Sequence, residues 1–441
     1  MFKKIYFKIT LYKAYFLKNI PFIVIGLILG SLVSIFRVSI IKFINSAQPH
    51  QEIIGINGLY TINKLPSSIT NLISYGLTVT KENNHLDASP LVKSWAMNPA
   101  NTEYTFQLNN NLTWHNGKKF TAYDVNYSFS GTKFQAINNT TLKAVTDTPF
   151  APFLALVDKP LFMRDLVGVG PYQVTSIDYQ DSYIKDLYLR SLISGPDKEF
   201  HFYADEKSVI SAYKMGKIDI IDKIEDSTPL QSWPKTEITP TLDYQRYLAL
   251  FINTDKFKDK KFRQALAYAT PKPLDRKDRC LGPISPNSWA FNNDVKSYDQ
   301  NTTRAKELFD KNSPNSISIA LNDPRLLPLA EDIKSAWNST LGITVSISIV
   351  GSFDTDNYDV ILAYGGIPTD PDQYQFWHST QKTNITKENN SRIDKLLEEG
   401  RLTFDPIERK KIYLDFQRYL LEESPAIFLS YPTVYSISRV K

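Results

Sequence analysis

Cysteine occurs once in 441 residues, and that scarcity closes off several chemistries together. Cys280 has no partner in its own chain, so no intramolecular disulfide can brace the fold and no thiolate cage can hold a metal. A lone cysteine of this kind is most often a small buried hydrophobe. Histidine is nearly as sparse: His50, His85, His115, His201 and His378 are scattered, no two stand at helical spacing, and no zinc set is recognisable. The acids Asp354, Asp356, Asp359, Asp370 and Asp372 fit no EF-hand spacing and read as solvated turn carboxylates. There is no G-x-S-x-G elbow and no G-x-G-x-x-G cradle, and Gly117-Lys118-Lys119 lacks the hydroxyl residue and the earlier glycine of a phosphate loop. Neither a cofactor nor a metal is called for, and the chain does not read as an enzyme.

Positive charge is also thin once the amino terminus is set aside. The first 48 residues carry seven cations (Lys3, Lys4, Lys8, Lys13, Lys18, Arg37, Lys42) and no acid, so removing those seven from the formal +5 leaves −2 on the rest. The basic balance belongs to the tail, and nucleic-acid binding loses its main support. Ile20 to Phe36 is an uncharged apolar run that Val38 to Ile44 prolongs, with Arg37 and Lys42 able to snorkel, giving roughly the 20 residues that a spanning helix needs. Residues 1–19 are then a cytoplasmic basic segment, 20–44 a transmembrane anchor and 45–52 a linker, with the lysine bias placing the body outside the cell membrane. A cleaved signal is the alternative, for which Ser46-Ala47 offers small residues.

Against these absences stands a chain that is 42% hydrophobic, with 25 Tyr, 25 Phe and 6 Trp, long enough for two or three lobes. Residues 53–110 alternate short apolar runs with Gly, Asn and Pro, a pattern of strands and turns. A capped helix is predicted near 122–133 and a loop over 135–149. Further on, Ser316 to Leu321, a helical stripe over Arg325 to Thr340 stopped by Gly342, and Ile343 to Val350 form a βαβ unit. Asp259 caps a helix ended by Pro271, and Asp405 with Pro406 opens a longer one ahead of Pro425. The class is mixed α/β, with no internal repeat.

One string is more specific. Trp114 to Val125 (WHNGKKFTAYDV) combines a strand end, a glycine turn at Gly117 and a capping box of Thr121 and Asp124. Its pattern W-x-x-G-x-x-x-T-A-x-D-V resembles a signature of the extracellular solute-binding proteins of family 5, the oligopeptide- and dipeptide-binding proteins that feed ABC transporters. Further stretches resemble that family in the same order: Val169 to Val174, Ser208 to Ile220, Phe251 to Ala269, Tyr358 to Asp372 and Tyr413 to Leu429.

The resemblance implies a bilobal periplasmic-binding-protein-like fold of type II with a hinge of two crossings, near Leu248 to Asn253 and Pro425 to Leu429. Lobe 1 would span 53–248 with a reduced peripheral subdomain at about 75–165, lobe 2 would span 249–424, and 425–441 would return to lobe 1. The implied function is capture of a peptide-like or other small organic solute between the lobes, with permease subunits and a separate ATPase as partners and a monomer expected. A ligand-free surface interaction scaffold on the same fold is the alternative. Candidate ligand-binding residues are Tyr247, Trp289, Tyr364, Gly365, Gly366, Ile367, Asp370, Asp372 and Trp377. The position that holds an Asp for the ligand's amino group in several peptide binders aligns with Ile367, which leaves Asp370 or Asp372 to swing in as a replacement.

Overall fold

Continuous apolar stretches build the centre of the molecule. The strand Arg246–Ile252 is buried along almost its whole length, with Leu248, Leu250 and Ile252 on one face and Tyr247, Ala249 and Phe251 on the other. Period-two alternation of this kind, apolar on both sides, places a strand between two layers. It lies in a five-stranded sheet in the order Thr344–Ile349, Ser316–Leu321, Val360–Gly366, Arg246–Ile252, Ala426–Ser430. One face packs on the helices Lys260–Ala269 and Leu327–Leu341 through Phe262, Leu266, Ile333 and Trp337, and the other on Ser391–Leu402 and Pro406–Glu423 through Leu397, Tyr413, Phe416 and Leu420.

The computed structural model describes residues 19–20, 51–81, 86–273, 277–310 and 312–440. The expected anchor over 20–44 lies outside them except for its first residue, and among the described residues no helix is long and apolar enough to cross a membrane. Gln51 and Glu52, expected to close the linker, instead open the strand Gln51–Asn57.

That strand belongs to a seven-stranded sheet ordered Thr236–Leu242, Thr433–Arg439, Ile220–Ile224, Gln51–Asn57, Asp197–Tyr203, Tyr183–Ser191, Tyr172–Gln180. A four-stranded antiparallel sheet, Val92–Met97, Glu103–Leu108, Thr141–Thr146 and Thr132–Asn138, stands beside it with its own core of Leu77, Tyr104, Phe106, Leu142 and Phe153.

The βαβ unit forms as its pattern predicts, with Ser316 paired in parallel to Thr344 and Gly342 ending the helix at φ 72°. The caps of the helices 260–269 and 406–423 also form, since Asp259 accepts from Lys261 N, and Asp405 from Ile407 N and Glu408 N.

Two local expectations fail. The helix predicted at 122–133 is a single turn, Ala122–Asp124, and the predicted loop at 135–149 is mostly a hairpin of Thr132–Asn138 with Thr141–Thr146. The capping box itself is present, Asp124 accepting from Thr121 N at 2.7 Å and from Thr121 Oγ1 at 2.9 Å. What stops propagation is tertiary: the Tyr127, Phe129 and Phe134 rings pack together over the four-stranded sheet, and the Tyr127 hydroxyl donates to the Val157 and Lys159 carbonyls. An extended chain reaches those partners and a helix does not.

The chain passes between the seven- and five-stranded sheets twice, at residues 243–245 and 431–432. The passages lie side by side: Asp243 N donates to the Pro432 carbonyl at 2.9 Å, and the Tyr244 and Tyr431 rings meet edge-on at 4.9 Å. The segments expected to cross, Leu248 to Asn253 and Pro425 to Leu429, pair instead within the five-stranded sheet, Leu250 opposite Ile427 and Phe251 opposite Ala426. Their uninterrupted apolar character suits a sheet centre, and the polar turn of Asp243, Tyr244 and Gln245 suits the passage.

Candidate functional site

The antiparallel register that pairs Arg246 with Gly366 and Tyr247 with Gly365 brings the end of Val360–Gly366 to the first passage, where Ile367 N donates to the Gln245 carbonyl at 2.8 Å. The candidate segment 364–367 therefore sits at the junction of the two sheet-bearing halves.

The structure divides the candidates into three groups. Tyr364 is half-buried beneath the Arg246 guanidinium, 4.8 Å from its ring centroid, Gly366 is exposed with open space where a Cβ would stand, and Ile367 is half-buried. Tyr247 and Trp377 lie beneath them in the core, against Phe251 and Phe428, and Gly365 is glycine for a packing reason: a Cβ there would come within 2.4 Å of the Tyr247 ring. The Trp377 indole N–H and both amide atoms of Gln373 are buried with no hydrogen-bond partner among the described residues.

Asp370 and Asp372 form the third group, each gripped by an arginine. Asp370 takes Arg409 at 2.6 and 2.9 Å, and Asp372 takes Arg401 Nε at 2.9 and 3.0 Å. Trp289 is half-buried with Arg409 5.5 Å over its ring. Burial on its own would lower the Arg409 guanidinium, but Asp370 outweighs it and the guanidinium is held above its ordinary range. Forked pairs of this kind are strong and geometrically fixed. Neither aspartate is a spare acid free to swing toward a ligand, which corrects that part of the sequence reading.

An ion network missed in the sequence ties the two halves together at the same junction. Glu225, just after Ile220–Ile224, accepts from Arg246 at 2.6 Å and faces Arg325 at 2.8 Å, both on the five-stranded half. Glu206 fixes the arrangement by accepting from Glu225 N at 2.7 Å. Asp243 holds Arg246 at 3.0 Å and Asp323 holds Arg325 at 2.7 Å. The hydrogen bond from Arg325 holds Asp323 below the usual carboxylate range, and Asp323 holds Arg325 above its own. No sequence pattern marks this set, because its members stand on separate elements far apart in the chain.

On the seven-stranded half, the strands Gln51–Asn57 and Ile220–Ile224 run parallel, so the turn after Asn57 opens on the same side as Glu225. Beyond that turn, residues 62–71 and 155–166 enclose a groove of about 780 Å³ whose walls include Ile62, Asn63, Leu65, Phe162, Met163 and Arg164. Sites at the carboxyl ends of parallel strands are a general property of such sheets. Among the described residues no group of His, Cys, Asp or Glu is placed to hold a metal.

A family model for bacterial extracellular solute-binding proteins, family 5 middle, matches residues 89–144 and 130–387. The chain belongs to this family. Its members are ligand-binding components of transporters, so the protein is a solute-binding protein of an ABC importer and not an enzyme, with its body outside the cytoplasm. It is 22% identical over 460 residues to the oligopeptide-binding protein AppA of Bacillus subtilis, covering 85% of this chain and 84% of that one. It is 23% identical over 445 residues to the dipeptide-binding protein of Escherichia coli, covering 79% and 82%. Two solved structures share the fold. NikZ from Campylobacter jejuni in complex with Ni(L-His) gives a TM-score of 0.72 at 24% identity over 88% of this chain and 94% of that chain. AppA from Bacillus subtilis in complex with a nonapeptide gives 0.67 at 19% identity over 89% and 95%.

Proposed function

We propose that the family 5 protein is tethered by its amino-terminal apolar segment and encloses a peptide-like or other small organic solute between its two halves, for delivery to permease subunits driven by a separate ATPase. The observation that carries this reading is the paired passage at 243–245 and 431–432 with the segment Tyr364 to Ile367 bonded to it. Two adjacent connections permit rotation of one half against the other without unfolding either, and a ligand touching both halves favours the engaged arrangement. In this reading the halves are the lobes, and the groove beside Ile62, Asn63 and Arg164 supplies the facing wall.

The solute class follows from the acids. With Ile367 at the turn, and Asp370 and Asp372 committed to Arg409 and Arg401, a buried free amino terminus meets no available carboxylate in this loop. Leaving an ammonium unpaired costs several kcal/mol. The site therefore disfavours short peptides with free amino termini and prefers longer or blocked peptides, or a non-peptide solute. Mass spectrometry of small molecules that copurify with the full chain tests the importer reading: a recurrent bound set supports it, and repeated emptiness favours an interaction scaffold. Calorimetry with matched free and acetylated peptides tests the class, and equal or tighter binding of the free forms would overturn it.

A further inference from the structure

Arg401 holds the candidate ligand loop with its side chain and touches the opposite half with both side chain and backbone. Its guanidinium grips Asp372 through Nε at 2.9 and 3.0 Å and through Nη2 at 2.8 Å, and it stacks 3.8 Å from the centroid of Tyr374. Its other neighbour is Phe150, 5.5 Å away, which belongs to the half that carries the four-stranded sheet. Next to that ring, Ala151 N donates to the Arg401 carbonyl at 2.7 Å, and Phe404 packs into the same core as Phe150.

Each partner of Arg401 is itself fixed. Tyr104, in the middle of its sheet, donates from its hydroxyl to the Phe150 carbonyl at 3.3 Å, and the turn that follows Phe150 leads through Ala155 and Asp158 to the groove wall at Phe162 and Met163. On the other side, Arg409 holds the Gly400 carbonyl at 2.8 Å, and no Cβ fits at Gly400 because the Tyr413 ring would stand 2.8 Å away. The position of Arg401 is thus set by the rigid helix pair, and it presents one cation to aromatic rings from both halves.

We infer that Arg401 is a positioning residue, which registers the loop 364–372 against the groove wall by clasping Phe150 and Ala151 when the halves engage. The proposal rests on the reading that the two halves close on a solute. It assigns to Asp372 the task of aiming Arg401, and not of touching ligand. Once the clasp lets go, the loop and the groove wall lose their fixed separation and Phe404 leaves the Phe150 core, while the rest of each half keeps its own core.

The test needs no solute, so its outcome is separate from that of the importer reading. Spin labels at Lys133→Cys and Lys410→Cys, exposed positions on opposite halves, report the separation by pulsed dipolar spectroscopy on the full chain, with the fully buried Cys280 left in place. Arg401→Ala and Phe150→Ala are each expected to lower the ratio of engaged to open molecules about fivefold, the size of one cation–ring contact. The double variant should move it by clearly less than the two single shifts combined, since both remove the same cation–ring contact. A residue that merely stabilised its own half would lower the melting temperature and leave the distances unmoved. Distance distributions that superimpose on the parent's in both variants overturn the proposal. Should Arg401→Ala fail to fold, Phe150→Ala decides alone, because it leaves the Asp372 pair intact.

Discussion

Replacing Glu225 by Gln removes a carboxylate that serves arginines Arg246 and Arg325 from the other half at once, at 2.6 and 2.8 Å. The magnitude follows from exposure. Glu225 and Arg246 side chains are 21% and 30% exposed, whereas Arg325 is 55% exposed, so the first contact carries most of the effect and the second is screened. A hydrogen bond to a charged group in partly buried surroundings is worth about 1.5–3 kcal/mol, and an exposed pair under about 1 kcal/mol. Both guanidiniums keep a second carboxylate, Asp243 and Asp323, so neither is stranded and the net loss should be about 1–2 kcal/mol. Because the network spans the passage, the loss should fall on engagement of the halves more than on either core. Small-angle scattering of Glu225→Gln should show a larger radius of gyration than the parent at low salt. The parent should expand toward that value as salt rises toward 1 M, where the screening length shrinks to about 3 Å, while the variant should respond little. An unchanged radius together with equal salt sensitivity in the two proteins would refute the reasoning.

Glu388 is buried beside Arg263 and Glu423, and burial pushes its carboxyl up from 4.5 to about 6. The folded state then holds this proton more tightly than the unfolded chain. Its contribution is full below about 4.5 and is lost as pH rises through about 6, about 2 kcal/mol in all; urea unfolding at pH 4 and 7.5 should show Glu388→Gln gaining that much on the parent at the higher pH, and a constant difference would contradict it. Gly365→Ala forces the Tyr247 ring aside, since a Cβ would stand 2.4 Å from it, and should cost about 1–3 kcal/mol in denaturant unfolding, against no measurable change for Gly366→Ala. Protease added to intact cells should degrade the body and leave a short amino-terminal fragment with the membrane, whereas release of the body into the medium would point to a cleaved signal.

The sequence made the βαβ unit, the caps at Asp259 and Asp405 and the glycine stop at Gly342 legible, because each depends on neighbours within a few residues. The capping box at Thr121 was legible for the same reason. Its failure to start a long helix was not, since the deciding partners of Tyr127 are the distant carbonyls of Val157 and Lys159. The hairpin of 132–146 hid behind threonines and asparagines, although Leu142 and Ala144 alternate into the core. At the candidate site, the family resemblance pointed to the segment 364–372, yet whether its aspartates were free depended on Arg401 and Arg409, tens of residues away. Glu206, Glu225, Arg246 and Arg325 meet only because two sheets end at one junction, and no local pattern encodes that meeting.

The central claim is that the two halves close on a solute, and the most direct test is to follow shape and stability together while a broad library of blocked peptides, longer peptides and small organic solutes is added to the full chain. A true ligand should shrink the radius of gyration in solution scattering and raise the melting temperature, with about 2.7 kcal/mol of stabilisation at a hundredfold excess over Kd. A library that moves neither quantity would contradict the account.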